Sequence, residues 1–167
     1  MTMDRTARAW LTETFRGDVR FDEPMSRHTS FRVGGPAEVL VRPRSKDDLV
    51  RLVCWAAEQD IACMPLGAGS NILVRENGIQ GLVIVLETCL TSINESDPTA
   101  AVANITAGAG AKLAALCAFA LKNGLSGLHF ARGIPGSVGG SIRCNAGARD
   151  GSMAVVVASL SVLLPQG

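Results

Sequence analysis

The sequence predicts a mixed α and β fold, and three observations carry that expectation. Apolar residues make up 47% of the 167 residues, enough for a core and too many for a disordered chain. Residues 38–66 read as strand, helix, strand from their apolar spacing. Two segments rich in glycine and other small residues, 66–74 and 133–148, lie one in each half. At this length one domain is the default, with room for two small lobes.

Taken in order, residues 6–15 place Trp10, Leu11 and Phe15 on one side of a short amphipathic helix that would cover a core. The polar stretch 26–30 then passes into Phe31-Arg32-Val33-Gly34-Gly35-Pro36-Ala37. Here His28 has no carboxylate or cysteine at a ligand-like spacing and reads as structural or solvent-facing. Thr29 and Arg32 are candidate ligand contacts. Residues 38–41 read as a strand. Ser45 suits the N-cap of a helix over 46–59, with Asp47 and Asp48 favourable in its first turn. Leu49, Leu52, Val53 and Ala56 form its core stripe. Residues 61–66 and 72–74 read as strands on either side of the first glycine segment. Residues 78–81 read as a turn and 82–86 as another strand.

Residues 91–99 are polar and contain Pro98, which predicts an exposed connection. Residues 101–107 read as a strand followed by Gly108-Ala109-Gly110. Leu113, Leu116, Cys117 and Ala120 mark a helix over 111–122, which Asn123-Gly124 ends, with Gly124 suited to the left-handed position after a helix. The last residues, Leu163-Leu164-Pro165-Gln166-Gly167, read as a strand entering a hairpin turn.

Composition excludes several functions. A net charge of +1, scattered basic residues, an aromatic content of 4% and no tyrosine argue against a nucleic-acid surface. Every apolar run is interrupted before it reaches the length of a membrane span. The first residues mix charge and polarity without the apolar core of a signal peptide. Five cysteines, odd in number and widely spaced in mostly apolar segments, predict buried thiols in a reducing cytoplasm rather than disulfides or a metal site.

The chemistry concentrates in Pro65-Leu66-Gly67-Ala68-Gly69-Ser70-Asn71-Ile72-Leu73-Val74. Glycine allows positive φ and close approach of a ligand, and successive N–H groups in such a turn can cradle phosphate oxygens. The motif alone fits a tight turn between strands equally well. It is not a P-loop, because Ser70-Asn71 stands where lysine and a hydroxyl belong, and it is not G-x-G-x-x-G. Backbone and neutral side chains suit the pyrophosphate of a dinucleotide cofactor better than phosphoryl transfer. The second segment, Gly133-Ile134-Pro135-Gly136-Ser137-Val138-Gly139-Gly140-Ser141, is followed closely by Asn145-Ala146-Gly147-Ala148. Arg143 is the only charged residue from 133 to 147. Such a neutral wall suits a flat, largely apolar ring system. Two such walls predict one ligand gripped from both sides.

These segments, together with His28-Thr29-Ser30-Phe31-Arg32-Val33-Gly34-Gly35 and the block Arg143-x-Asn145-Ala146-Gly147-Ala148, resemble the UDP-N-acetylenolpyruvoylglucosamine reductase family. They stand in that family's order over residues 25–150. The resemblance implies an α+β FAD-binding domain of the vanillyl-alcohol-oxidase type, two small lobes with the flavin between them. Residues 1–90 would be one lobe, with an N-terminal extension over about 1–24, and 91–167 an incomplete second lobe without a substrate domain. By the same resemblance, Leu66, Gly67, Ala68, Gly69, Ser70, Asn71, Ile72 and Leu73 wrap the pyrophosphate. Gly133, Ile134, Pro135, Gly136, Ser137, Gly139 and Gly140 run along the cofactor, with Asn145, Ala146 and Gly147 close to the flavin. Gly108 and Gly110 join them as cofactor contacts.

The family reaction implied is NADPH-dependent reduction of an enolpyruvyl double bond through FAD, with a UDP-sugar as substrate. The family's serine proton donor, arginine and glutamate match no residue in 1–167, and the resemblance puts all three beyond Gly167. Ser70, Ser137 and Ser141 match binding-loop serines instead. One departure is Arg149-Asp150, where the family has an aromatic residue and then glycine. Two alternatives are another flavoprotein oxidoreductase of the same superfold and a catalytically incomplete flavin-binding module.

Overall fold

The computed structural model describes residues 3–95 and 102–165. Helix α1 spans Arg5–Glu13, strand β1 Gly17–Pro24, β2 Pro36–Pro43, α2 Lys46–Glu58, β3 Cys63–Leu66 and β4 Ile79–Val85. The four strands form one sheet in the order β1-β2-β4-β3, with β1 antiparallel to β2 and the other pairs parallel. The central strands β2 and β4 are buried on both faces. That is why Val39-Leu40-Val41 and Leu82-Val83-Ile84-Val85 are continuous apolar runs rather than alternating ones.

One face of the sheet, through Val39, Val41, Leu82 and Ile84, packs on Leu11 of α1 and on Leu49, Leu52 and Ala56 of α2. The α2 cap is as expected: Ser45 Oγ accepts from the Asp48 N–H at 3.0 Å. Asp4 caps α1 in the same way, accepting from the Ala7 N–H at 2.7 Å. Trp10 of α1 stacks on Trp55 of α2 with ring centroids 4.0 Å apart, which ties the two helices together. The opposite face, through Leu40, Val83 and Val85, packs on Met25, Leu66 and Val74.

The second half adds β5 (Ile93–Glu95) paired with β6 (Ile105–Ala107), α3 (Leu113–Lys122) and α4 (Val138–Arg143). A short hairpin of β7 (Gly147–Ala148) and β8 (Gly151–Ser152) and a single helical turn, α5 (Met153–Val156), follow. Its core is separate, built on Leu113, Leu116, Phe130, Val138 and Met153. Gly124, at φ 69°, closes α3 as expected.

Several expectations need correction. Strand β1 has no counterpart in the sequence reading, because an edge strand written Asp18-Val19-Arg20-Phe21-Asp22-Glu23 shows few apolar residues. Residues 72–74 are irregular chain rather than strand, with Val74 packed beside Gly34 and in the cluster of Leu40, Val83 and Val85. Residues 79–81 belong to β4 rather than to a turn. There the Gly81 N–H donates to the Glu38 carboxylate at 2.8 Å, where the β2 register shifts between Ala37 and Val39. The connection expected over 91–99 contains β5, and its residues 96–99 lie outside the described ones, as does residue 101 of the strand expected over 101–107. Of the strand and hairpin turn expected over 163–167, residues 163–165 form no strand, and Gln166 and Gly167 lie outside the described residues. The cysteines are all free, but Cys63 and Cys144 are exposed and Cys54, Cys89 and Cys117 half-buried, so none is sealed in a core.

Candidate functional site

Strand β3 delivers Leu66, buried beside Val85, into the loop Gly67-Ala68-Gly69-Ser70-Asn71. Only glycine fits at 69. Its φ is 65°, and a Cβ there would lie 1.9 Å from the His28 carbonyl oxygen. The Ser30 N–H donates to the Gly69 carbonyl at 3.0 Å and fastens the loop to the 28–30 segment. Among the described residues, no backbone N–H from Gly67 to Asn71 finds a protein acceptor. Five consecutive donors without a protein acceptor, in a turn with a left-handed residue at Gly69, leave these N–H groups free for water or for an anion.

The second glycine-rich segment lies directly against this loop. Ser70 Oγ donates to the Pro135 carbonyl at 3.1 Å, across 65 positions of sequence. A Cβ on Gly67 would lie 2.1 Å from Ser137 Oγ, and one on Gly136 would lie 3.3 Å from Ser70 Oγ. Asn71 Nδ2 reaches Cys144 Sγ at 3.4 Å. The structure thus brings residues 67–71 and 133–137 together as two touching walls. Ile72 is half-buried beyond the turn, and Leu73 is 71% exposed.

The sequence reading gives residues 133–141 as a neutral, small-residue wall and assigns them no helix; helix α4 begins within them at Val138. Ser137 caps it, with Oγ accepting from the Gly140 N–H at 3.2 Å. The Val138 and Gly139 N–H groups donate to the Ala111 and Ala109 carbonyls, both at 2.8 Å. The donors at the start of α4 are therefore spent on protein, and the uncommitted run lies in the first loop. Gly139 and Gly140 sit in this first turn, with Gly139 tight against Ala109.

The remaining expected contacts are placed less directly. A Cβ on Gly108 would lie 2.4 Å from the Leu90 carbonyl oxygen, and one on Gly110 would lie 1.9 Å from that of Leu86. Both glycines face protein backbone, where the second half meets the end of the first. Ile134 packs on the core of the second half, whereas Gly133 has open space on its Cβ side. Asn145, at φ 46°, spends Oδ1 on the Ala154 N–H at 2.9 Å. The Ala146 N–H donates to the Ser141 carbonyl at 2.7 Å, and Gly147 opens the β7–β8 hairpin, with Arg149-Asp150 as its turn.

A cleft of about 500 Å³ opens beside Gly67 and Ala68, in the range of small-molecule sites, and Arg27, Arg32, Arg42 and Glu87 line it. Thr29 is buried, and its hydroxyl donates to the Val33 carbonyl at 3.2 Å, so that expected ligand contact is committed to the fold. Beneath the cleft lies a charged group that sequence reasoning missed. Glu23, its side chain only 8% exposed, takes His28 Nε2 at 2.9 Å and has Arg20 and Arg27 at 3.4 and 3.8 Å. The hydrogen bond from His28 holds the Glu23 carboxyl below the usual carboxylate range. Burial opposes that shift, and the charges of Arg20 and Arg27 add to it. His28 therefore does have a carboxylate partner. No local motif betrays it, because a single 3-10 turn, Met25–Arg27, folds the histidine back over the strand end.

Among the described residues there is no cluster of side chains suited to a metal ion and no helix long and apolar enough to cross a membrane. The family described as FAD binding domain matches residues 37–167. The UDP-N-acetylenolpyruvoylglucosamine reductase of Desulfosudis oleivorans is 46% identical over 99% of this chain and 53% of its own length. A crystal structure of the corresponding reductase from Thermus caldophilus superposes with a TM-score of 0.61 at 33% identity, over 83% of this chain and 46% of that one. An alkyldihydroxyacetonephosphate synthase matches with a TM-score of 0.72 over 99% of this chain and 34% of its own, at 20% identity, a likeness of fold alone. The chain spans about half the length of the curated relatives it matches. Its α+β fold is that of the vanillyl-alcohol-oxidase type of FAD-binding domain. The chain belongs to the FAD binding domain family, and it is similar over nearly all of its length to about half of the UDP-N-acetylenolpyruvoylglucosamine reductases it matches.

Proposed function

We propose that this chain is the FAD-binding portion of an NADPH-dependent UDP-N-acetylenolpyruvoylglucosamine reductase, which forms UDP-N-acetylmuramate for peptidoglycan in the cytoplasm. The observation that carries this reading is the run of five uncommitted N–H groups from Gly67 to Asn71, set against a neutral wall at 133–137. Those donors are the right complement for the two phosphates of FAD, because charge-assisted hydrogen bonds from backbone to phosphate are stronger than neutral ones. Arg27, Arg32 and Arg42 add positive charge in the adjoining cleft. Residues 1–90 serve as one lobe and 91–167 as the other, joined across the site by the bond from Ser70 to Pro135. Leu66, Ile72 and Leu73 flank the pyrophosphate loop. Gly133 to Gly140 and Asn145 to Gly147 run beside the ring system.

When bound, FAD supplies a ring that carries hydride from NADPH to the enolpyruvyl double bond of the UDP-sugar. The chain's own part is to bind and orient that ring. Neither Ser70 nor Ser137 is cast as a proton donor, since one hydroxyl holds Pro135 and the other caps α4. The proton donor and its charged partners are assigned to none of these residues.

Titration with FAD and with FMN, followed by the flavin absorption band, tests the reading. The pyrophosphate contacts predict tighter binding of FAD by about tenfold or more. Equal affinity for the two flavins, or none for either in folded protein, overturns it. NADPH oxidation in the presence of the UDP-sugar separates a reductase from a flavin-binding module without catalysis.

A further inference from the structure

We propose that His28 is the positioning residue of the glycine loop, locked by its two neighbours as the neutral tautomer protonated on Nε2; this rests on the flavin-site reading above. The neighbours decide the tautomer. Glu23, an acceptor when ionised, lies 2.9 Å from Nε2, so the proton belongs there. Arg42 Nη2, which can only donate, lies 3.5 Å from Nδ1, so Nδ1 accepts. Both partners are themselves held: Arg42 Nη1 pairs with Asp18 at 2.9 Å, and Glu23 takes Arg20 and Arg27 besides the histidine. The ring is nearly buried, with 13% of the side chain exposed. A side chain so fixed carries its own backbone with it.

That backbone is what the loop rests on. The His28 carbonyl oxygen fills the space a Cβ on Gly69 would need, and two residues on, the Ser30 N–H donates to the Gly69 carbonyl. The imidazole therefore holds the 28–30 segment in place, and that segment holds the left-handed residue at the centre of the uncommitted donors. Loss of the ring's bond to Glu23 frees the segment and spreads the donors, while α1, α2 and the central strands stay packed.

Three readouts on the 167-residue chain test this. Nitrogen-15 spectra of the imidazoles, in a His129→Gln background that leaves one histidine, are expected to show Nδ1 as the unprotonated nitrogen. Amide exchange at Ser30 reports the segment without any flavin. His28→Phe is expected to speed that exchange and weaken FAD binding, each by about tenfold, the usual scale for a lost bond to a charged group. His28→Gln, whose amide can still donate to Glu23, is expected to restore most of both.

A protonated Nδ1 in neutral solution contradicts the proposal. So does His28→Phe with Ser30 exchange unchanged, or failure of His28→Gln to rescue. If the parent chain binds no FAD while His28→Phe still frees Ser30, the flavin reading fails and the positioning of the loop by His28 stands. If His28→Phe does not fold, the tautomer and His28→Gln decide.

Discussion

Gly69 has no tolerable substitute. Its left-handed backbone and the carbonyl of His28 at 1.9 Å from a built Cβ both forbid a side chain. Gly69→Ala is expected to lower stability by more than about 1 kcal/mol and to weaken flavin binding as well, because relief of the clash moves the donors. Thermal melts and an FAD titration of the same variant check both effects, and a variant with neither contradicts the site geometry. Glu23 makes a different prediction. Its carboxyl, held below the ordinary 4.5 chiefly by His28, takes up a proton less readily folded than unfolded. The stabilisation is therefore complete above that ordinary value and is lost as pH falls through the lower folded one. Urea melts across that acid range are expected to show Glu23→Gln less sensitive to acid than the parent. An equal slope in both chains would mean the carboxylate is not the group responsible. The residues of the loop were legible in the sequence because glycine and small polar residues carry their own geometry. The Glu23–His28 pair was not, since it depends on how one turn folds back.

At the scale of elements, local signals and tertiary contacts divide the credit. Helix α2 could be read directly, for Ser45, two acidic residues and an apolar stripe all agree. Ser45→Ala is expected to cost about 1 kcal/mol and to leave flavin binding untouched. Helix α4 could not be read, because Val138-Gly139-Gly140 is a poor helical sequence and its first N–H groups are met by carbonyls from 109 and 111. Ser137→Ala is therefore expected to resemble Ser45→Ala in stability but to differ in function. It removes the cap and also the hydroxyl that backs Gly67, so FAD affinity falls with it. Comparing both variants by denaturant melts and flavin titration makes the contrast. If Ser137→Ala bound FAD as the parent does, the close packing of the two walls would be irrelevant to binding. Edge strand β1 escaped notice for a physical reason too, since a strand with one wet face need not be apolar.

For the whole molecule, the core of the second half lies apart from the two clusters on the faces of the four-stranded sheet, and the halves meet along a seam. Gly108 and Gly110 let the 108–110 backbone lie against residues 86–90, with their N–H groups donating to Ser92 and Leu90. Ser70 and Pro135 close the seam at the candidate site. The sequence reading has one ligand gripped from both sides by the two glycine-rich segments; in the structure residues 67–71 touch 133–137, and a cleft lined by Arg27, Arg32 and Arg42 opens beside Gly67 and Ala68. On the proposed reading the uncommitted donors, rather than the whole glycine content, locate the phosphates. Several glycines are spent on chain-to-chain contact, which no motif distinguishes from ligand contact.

The central claim is that the backbone of Gly67 to Asn71 receives the pyrophosphate, and amide spectra of the labelled chain during an FAD titration test it most directly. The account predicts that these five N–H resonances move downfield and become protected from exchange, while those of Val138 and Gly139, already bonded to protein, change little. FAD binding that leaves the five unmoved and shifts the start of α4 instead would contradict it.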